Sequence, residues 1–354
     1  MSDGAAEGPP ARPSDEPLAR RTVMADVAAR AGVSVMTVSR VLNGFPGVAP
    51  ATRRRVERAV TQLDYHANTA ARVLAGGRSR TLGVLAVETG QYGPSHMLFG
   101  IEAAARAAGH VLTFLTIEPT GRDLGGTLER LRASHVDGVV VVAPVQPVVD
   151  AVVKVERERP LVVVGGNPDA GTPTVTIDQE GGARVATRHL LDLGHATVHH
   201  VRGPRNWIDA RARARGWAEA LRAAGAGRRT PAVGDWSAAG GFASGTRLAA
   251  DHDLTAVFAA NDQMALGLLR ALRDAGRRVP EDVSVVGFDD TPESAYFVPA
   301  LTTIRQDFGA VGRACVDLLL ALIEGNGAER HVVVPSSLVV RNSTAPPPAA
   351  TRRR

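Results

Sequence analysis

The chain has 354 residues, enough for two or three domains with cores of their own. Its single cysteine excludes an internal disulfide, and no 18-residue apolar run is present to cross a membrane. The net charge of +5 is unevenly placed: residues 1–16 carry −3, Pro17 to Arg80 carry +8, and residues 81–354 sum to zero. A basic excess this local is either a solvated face or a surface that meets phosphates. Lys154 is the only lysine among 41 basic residues, so the preference for arginine carries little information by itself.

Residues 1–20 are rich in Pro, Ala and acids, with the composition of a disordered tail rather than of a signal peptide or anchor. A cytoplasmic location is expected. Residues 21–66 read as a three-helix unit. A first helix is predicted over about Met24 to Ala31. Gly32 supplies the positive φ of a sharp turn, Ser34 is placed to cap a second helix, and that helix runs to about Leu42. Val38 and Val41 point inward. Val35, Met36, Thr37, Ser39 and Arg40 face out, a pattern suited to the DNA major groove and diagnostic of a helix-turn-helix reader. A third helix fits Pro50 to Leu63, with Val56, Ala59, Val60 and Leu63 as its packing stripe and Arg53, Arg54, Arg55 and Arg58 outside.

Residues 67–80 form a linker. Asn68 and Gly76 bracket about two helical turns, too short to be stable alone. Two readings stand: a plain linker with a stray Leu74, or a hinge helix that forms on DNA and wedges Leu74 into a minor-groove step. From Leu82 the pattern alternates strand and helix. Apolar runs at 82–87, 111–117, 138–143, 161–165, 174–178, 197–202, 255–260, 283–288 and 331–334 are predicted strands. Helices are predicted at 97–108, 181–193, 210–224, 261–276 and 308–324. The unbroken Val139 to Val142 run suits a strand buried on both faces of a parallel sheet, with a ligand cleft where strand ends meet. Cys315 lies on the apolar side of its helix and is expected in the core.

The strings Asp26-Val-Ala-Ala-Arg-Ala-Gly-Val-Ser-Val-Met-Thr-Val-Ser-Arg-Val-Leu-Asn43, Gly234-Asp-Trp-Ser-Ala, Ala260-Asn-Asp-Gln-Met-Ala-Leu-Gly, Val283-Ser-Val-Val-Gly-Phe-Asp-Asp-Thr and Leu301-Thr-Thr-Ile-Arg-Gln-Asp-Phe closely resemble the lactose repressor (LacI/GalR) family over about residues 22–343. The resemblance implies an all-α helix-turn-helix DNA-binding domain joined to an α/β, two-lobed, periplasmic-binding-protein-like core with parallel sheets. The core is expected over 81–343, with a first lobe of about 81–177 and 307–330, a second of 178–305 and 331–343, and a tail from 344. By position, Val35, Met36 and Arg40 match base-reading sites. Arg40 can pair bidentately with guanine, whereas Val35 and Met36 offer apolar contacts such as to thymine methyls. Ser34, Thr37, Ser39 and Asn43 match phosphate and backbone contacts, and Asn68, Ala71 and Leu74 belong to the hinge, with Leu74 as the intercalating residue.

The family binds sugars between its lobes. Arg213, Asn261 and Asp289 match the planar groups that hold sugar hydroxyls, and Trp236 matches the aromatic wall. Gln306 and Phe308 match a lobe crossover, and Pro94 and Met97 the apolar rim. The chain departs from the family pattern at Gly165, where an acid is usual, at Asp209, where Ser is usual, and at Ile177, where Phe is usual. Trp207 and Asp178 stand beside these positions as further candidates. Gly165 and the Gly166 that follows leave more room and one fewer acceptor, and Trp207 adds a stacking surface, which favours a larger or differently linked sugar, such as a β-linked disaccharide, over a simple galactoside. The implied protein is a homodimeric, sugar-responsive repressor on a pseudo-palindromic operator. Corepression and a non-sugar solute-binding module are the alternatives. The tail after Ala345 shows no leucine heptad, so a dimer rather than a tetramer is expected.

Enzyme and metal readings find little support. Asp289 and Asp290 are adjacent, so their side chains diverge. His189, His195, His199 and His200 lack partners at metal spacing. No phosphate loop, dinucleotide fingerprint or nucleophile elbow occurs, and no cofactor or metal is expected.

Overall fold

The protein is described here by a computed structural model covering residues 22–42, 45–65, 78–87, 90–118, 122–156, 159–165, 171–326 and 330–348. It divides into two compact units, Met1–Gly77 and Arg78–Arg354.

In the first unit, α1 (Met24–Ala31), α2 (Val35–Leu42) and α3 (Pro50–Gln62) pack around Val27, Ala28, Val38, Val41, Val56 and Ala59. Asp26 steadies the start of α1 by accepting the Val23 N–H at 2.9 Å. Gly32 ends α1 with φ +63°, a conformation that costs a glycine least. Ser34 Oγ then accepts the Thr37 N–H at 3.2 Å, and α2 begins. Arg55 of α3 donates to the Gly32 carbonyl at 3.4 Å, so one of the outer arginines also braces the turn.

The second unit holds two six-stranded sheets. The first lobe comprises β1 (Thr81–Val87), β2 (Val111–Ile117), β3 (Gly138–Val142), β4 (Leu161–Val164), β5 (Thr174–Ile177) and β11 (His331–Val334), in the order β11-β5-β4-β3-β1-β2. All its pairs are parallel. Val139 and Val141 enter one core and Val140 and Val142 the other, as a strand covered on both faces requires. Helices α4 (Tyr92–Ala107), α5 (Leu124–Ala133), α6 (Gln146–Val155) and α11 (Phe308–Glu324) cover this sheet. A methyl at Gly100 or Gly312 would strike the backbone of the facing helix, so glycines let α4 and α11 cross closely. Cys315 is fully buried in this core, where burial pushes its thiol pKa up.

The second lobe orders its strands β12-β10-β9-β8-β6-β7, from β6 (His199–Arg202), β7 (Ala232–Val233), β8 (Ala256–Ala259), β9 (Ser284–Asp289), β10 (Thr302–Gln306) and β12 (Ser336–Val339). Its helices are α7 (Gln179–Asp192), α8 (Ile208–Ala223), α9 (Ala238–Ala249) and α10 (Asp262–Asp274). β12 pairs antiparallel with β10, an exception to the expected parallel sheets.

The chain passes between lobes at Asp178, at Asp307 and at Pro335. The last crossover corrects the sequence boundary. β11 pairs with β5, so residues 331–334 belong to the first lobe and only the chain from 336 belongs to the second. β11 and β12 are separated by Pro335 alone, and apolar patterning cannot tell which sheet each short strand joins. β10 and β12 themselves lay outside the predicted strands because Thr, Ser, Arg and Gln interrupt their apolar runs.

Candidate functional site

On the first unit, α2 presents the predicted DNA-reading face. Val35 and Met36 are 46% and 65% exposed, adjacent apolar side chains at the start of the helix. Arg40 is exposed beside them, with Thr37 and Ser39 half-buried. Asn43, Asn68, Ala71 and Leu74 lie outside the described residues, so the hinge stands as a sequence expectation.

In the second unit the lobes meet around a cleft. Ile208 N–H donates to Pro144 O across them at 2.8 Å, and Val145 and Trp207 form a β-bridge. Inside lies a ring of four buried polar side chains. Arg213 Nε donates to Gln179 Oε1 at 2.8 Å. Gln179 Nε2 donates to Gln306 Oε1 at 2.8 Å. Gln306 Nε2 donates to Asp289 at 2.6 Å, and Arg213 closes the circuit 3.4 Å from Asp289. Arg213 also donates to the Ala260 carbonyl and stacks 3.8 Å over Phe288. Burial raises the Asp289 pKa to about 7, against the pull of Arg213, with Asp262 and Asp209 adding to the rise. Burial likewise raises Asp209, which Arg213 opposes.

The aromatic wall is built from the second lobe. Trp236 is 5% exposed and meets Trp207 edge-on with ring centroids 5.3 Å apart. Its φ of +73°, and those of Asp289 (+113°) and Asp290 (+54°), place three non-glycine residues in the costly left-handed half of the map. Strain gathered at one cleft is a mark of a functional site. Asn261 is fixed by three bonds: its oxygen accepts from Met264 N–H, and its nitrogen donates to Trp236 O and Gln263.

These residues border two adjoining cavities. Arg213, Trp236, Asn261, Asp289, Gln306 and Trp207 line a slot of about 20 Å³, room for little more than one water. A chamber of about 310 Å³ lies next to it, bordered by Asp178, Gly165 and Ile177 among others. Pro94, Met97 and Asp209 line both. Gly165 borders the chamber, and Gly166 lies outside the described residues. Asp178 borders the chamber, but its carboxylate caps α7 by accepting the Gly181 N–H at 2.7 Å. Phe308 lines neither cavity. It is packed in the first-lobe core and supports Tyr92 edge-on at 5.9 Å.

Sequence reasoning missed Gln179, Tyr92, Arg215 and His331. Tyr92 reaches the slot from the first lobe, and Arg215 and His331 border the chamber. Gln179 directly follows Asp178 at a crossover, the one signal that could have drawn notice to it. His199 and His200, adjacent on β6, face different surroundings. His199 lies 3.3 Å from Asp251, whereas His200 is sandwiched between Trp217 and Phe258, its pKa lowered by burial to about 3. Among the described residues no cluster of ligating groups could hold a metal, and no helix is long and apolar enough to cross a membrane. Asp289 and Asp290 diverge: Asp290 pairs instead with Arg305 and Arg341, both at 2.6 Å.

Two family models match the chain. That for bacterial regulatory proteins of the lacI family covers residues 23–68, and that for a periplasmic binding protein-like domain covers 187–344. The lactose operon repressor of Escherichia coli (strain K12) is 34% identical over 92% of this chain and 91% of its own length. The chain belongs to the lacI family. A lac repressor dimer bound to operator and the anti-inducer ONPF superposes with a TM-score of 0.83 at 34% identity, over 92% of this chain and all of that one. A complex of the transcriptional regulator CelR with cellobiose gives 0.66 at 34% identity, over 91% of this chain and all of the other. This lacI-family chain is thus a helix-turn-helix transcriptional regulator with a periplasmic-binding-like core.

Proposed function

We propose that this lacI-family regulator is an operator-binding repressor released by a small sugar held between its core lobes. The observation that carries this reading is the buried cluster of Arg213, Asn261, Gln306 and Asp289 lining the slot beside the Trp207–Trp236 wall. Planar amide, guanidinium and carboxylate groups match the paired donors and acceptors of neighbouring hydroxyls, and indole faces cover the C–H side of a sugar ring. The 310 Å³ chamber adjoining the slot favours a ligand of two rings, a β-linked disaccharide. The similar CelR structure holds cellobiose, a sugar of that class.

A homodimer would present two copies of α2 to a pseudo-palindromic operator. Phe99 on α4 and Val111 on edge strand β2, each 67% exposed, leave apolar surface on the first lobe for a second copy to cover. Ligand between the lobes changes their relative setting, the change passes to the hinge, and operator affinity falls. Linkage requires that operator weaken sugar binding by the same factor.

Fluorescence anisotropy on DNA from upstream of the protein's own coding sequence, at fixed salt, with a panel of mono- and disaccharides, tests the reading. Tight binding released by one disaccharide is expected. Binding that the sugar tightens would make it a corepressor, and binding that no sugar changes would remove the sugar assignment.

A further inference from the structure

Gln179 is placed unlike its ring partners. It is the first residue of α7, only 6% exposed, and it borders the 310 Å³ chamber, while Arg213, Gln306 and Asp289 border the 20 Å³ slot. Its side chain therefore reaches from the chamber to two residues of the slot, Arg213 and Gln306. The polarity of its bonds is set from both ends. Arg213 has only donors to offer, so Gln179 must turn its oxygen there and its nitrogen towards Gln306 Oε1. One acceptor and one donor side by side is also what a pair of neighbouring sugar hydroxyls presents.

We propose that Gln179 is an internal stand-in for the effector, filling the bonding positions of a sugar hydroxyl pair on Arg213 and Gln306 until the sugar displaces it. This inference rests on the sugar reading above and names the residue that controls entry. With Gln179 in place the slot admits about one water. With it withdrawn, Arg213 and Gln306 are free to take sugar hydroxyls in its place. The same side chain ties two of the three lobe crossovers together, because Gln179 follows Asp178 and Gln306 precedes Asp307. Displacing it frees those crossovers to shift, which links occupancy to lobe setting without a contact at a distance. A competitor of this kind reduces apparent affinity to the intrinsic value times the fraction of time it leaves the site open.

The test is the sugar concentration that half-releases operator from the full-length protein, measured for wild type, Gln179→Ala and Gln179→Ser, with melting temperature recorded for each. Gln179→Ala removes the competitor and should lower that concentration roughly tenfold. Gln179→Ser also takes the amide away from Arg213 and Gln306 while keeping a polar residue at the start of α7, and should lower it by a similar factor, roughly tenfold. A Gln179→Ala protein that needs as much sugar as wild type, or more, overturns the stand-in and makes Gln179 a direct ligand contact or a bystander. Should Gln179→Ala fail to fold, an unchanged response in Gln179→Ser overturns it equally. A wild type that no sugar releases removes the sugar reading itself, and the stand-in with it.

Discussion

Arg213→Ala probes the centre of the cleft. The guanidinium is 4% exposed, and its loss deletes the bond to Gln179, the bond to the Ala260 carbonyl, the contact with Asp289 and the stack on Phe288. Breaking a buried ion pair by removing one partner costs about 3–5 kcal/mol, because the other charge is left uncompensated. Asp289 already stands near pKa 7 through burial, and without Arg213 it rises further, so at neutral pH it escapes part of the penalty by taking a proton. The lower end, about 3 kcal/mol, is therefore expected. For a unit of this size that corresponds to a fall of ~6–12 °C in the melting temperature of the core. Operator binding should survive, because the first unit has its own core, while release by sugar should vanish. Thermal unfolding of the full chain at neutral pH and operator anisotropy with sugar provide the two readouts. A variant that melts with wild type and releases operator at the same sugar concentration would refute both the buried pair and the grip assigned to Arg213.

Three further outcomes are expected. Gly203→Ala should impair sugar release while sparing operator binding, since its methyl would collide with the Trp236 ring and push the wall out of place; an unchanged half-releasing concentration would show that the wall does not touch ligand. Asp289→Asn should remove a pH dependence. Folding raises the Asp289 pKa from 3.8 to about 7, so the native state holds this proton more tightly and loses stability as pH rises through that window. The melting temperature of the Asn variant should therefore gain on wild type between about pH 5 and 7, and a constant difference would argue against a perturbed Asp289. Leu74→Ala should weaken operator binding markedly and leave sugar binding intact if the hinge leucine wedges a base step; operator affinity within about twofold of wild type would exclude the wedge.

The sequence by itself determined the kind of elements and their chemistry. The helix-turn-helix was legible because local signals agree: Gly32 at the turn, Ser34 at the cap, and Val38 and Val41 three residues apart on one face. Val139 to Val142 announced a doubly covered strand for the same reason, since alternation is a property of the chain alone. Tertiary structure decided what depends on partners distant in sequence. β11 and β12 are four-residue strands divided by Pro335, and only pairing with β5 and β10 tells which lobe each joins. Phe308 looked like a ligand contact by position but turns into the first-lobe core behind Tyr92. Gln179 had only its place after Asp178 to mark it. Its role arises because a crossover brings it within 2.8 Å of Arg213, 34 residues on, and of Gln306, 127 residues on. Burial of a polar ring is a sum over such distant neighbours, which no local pattern records.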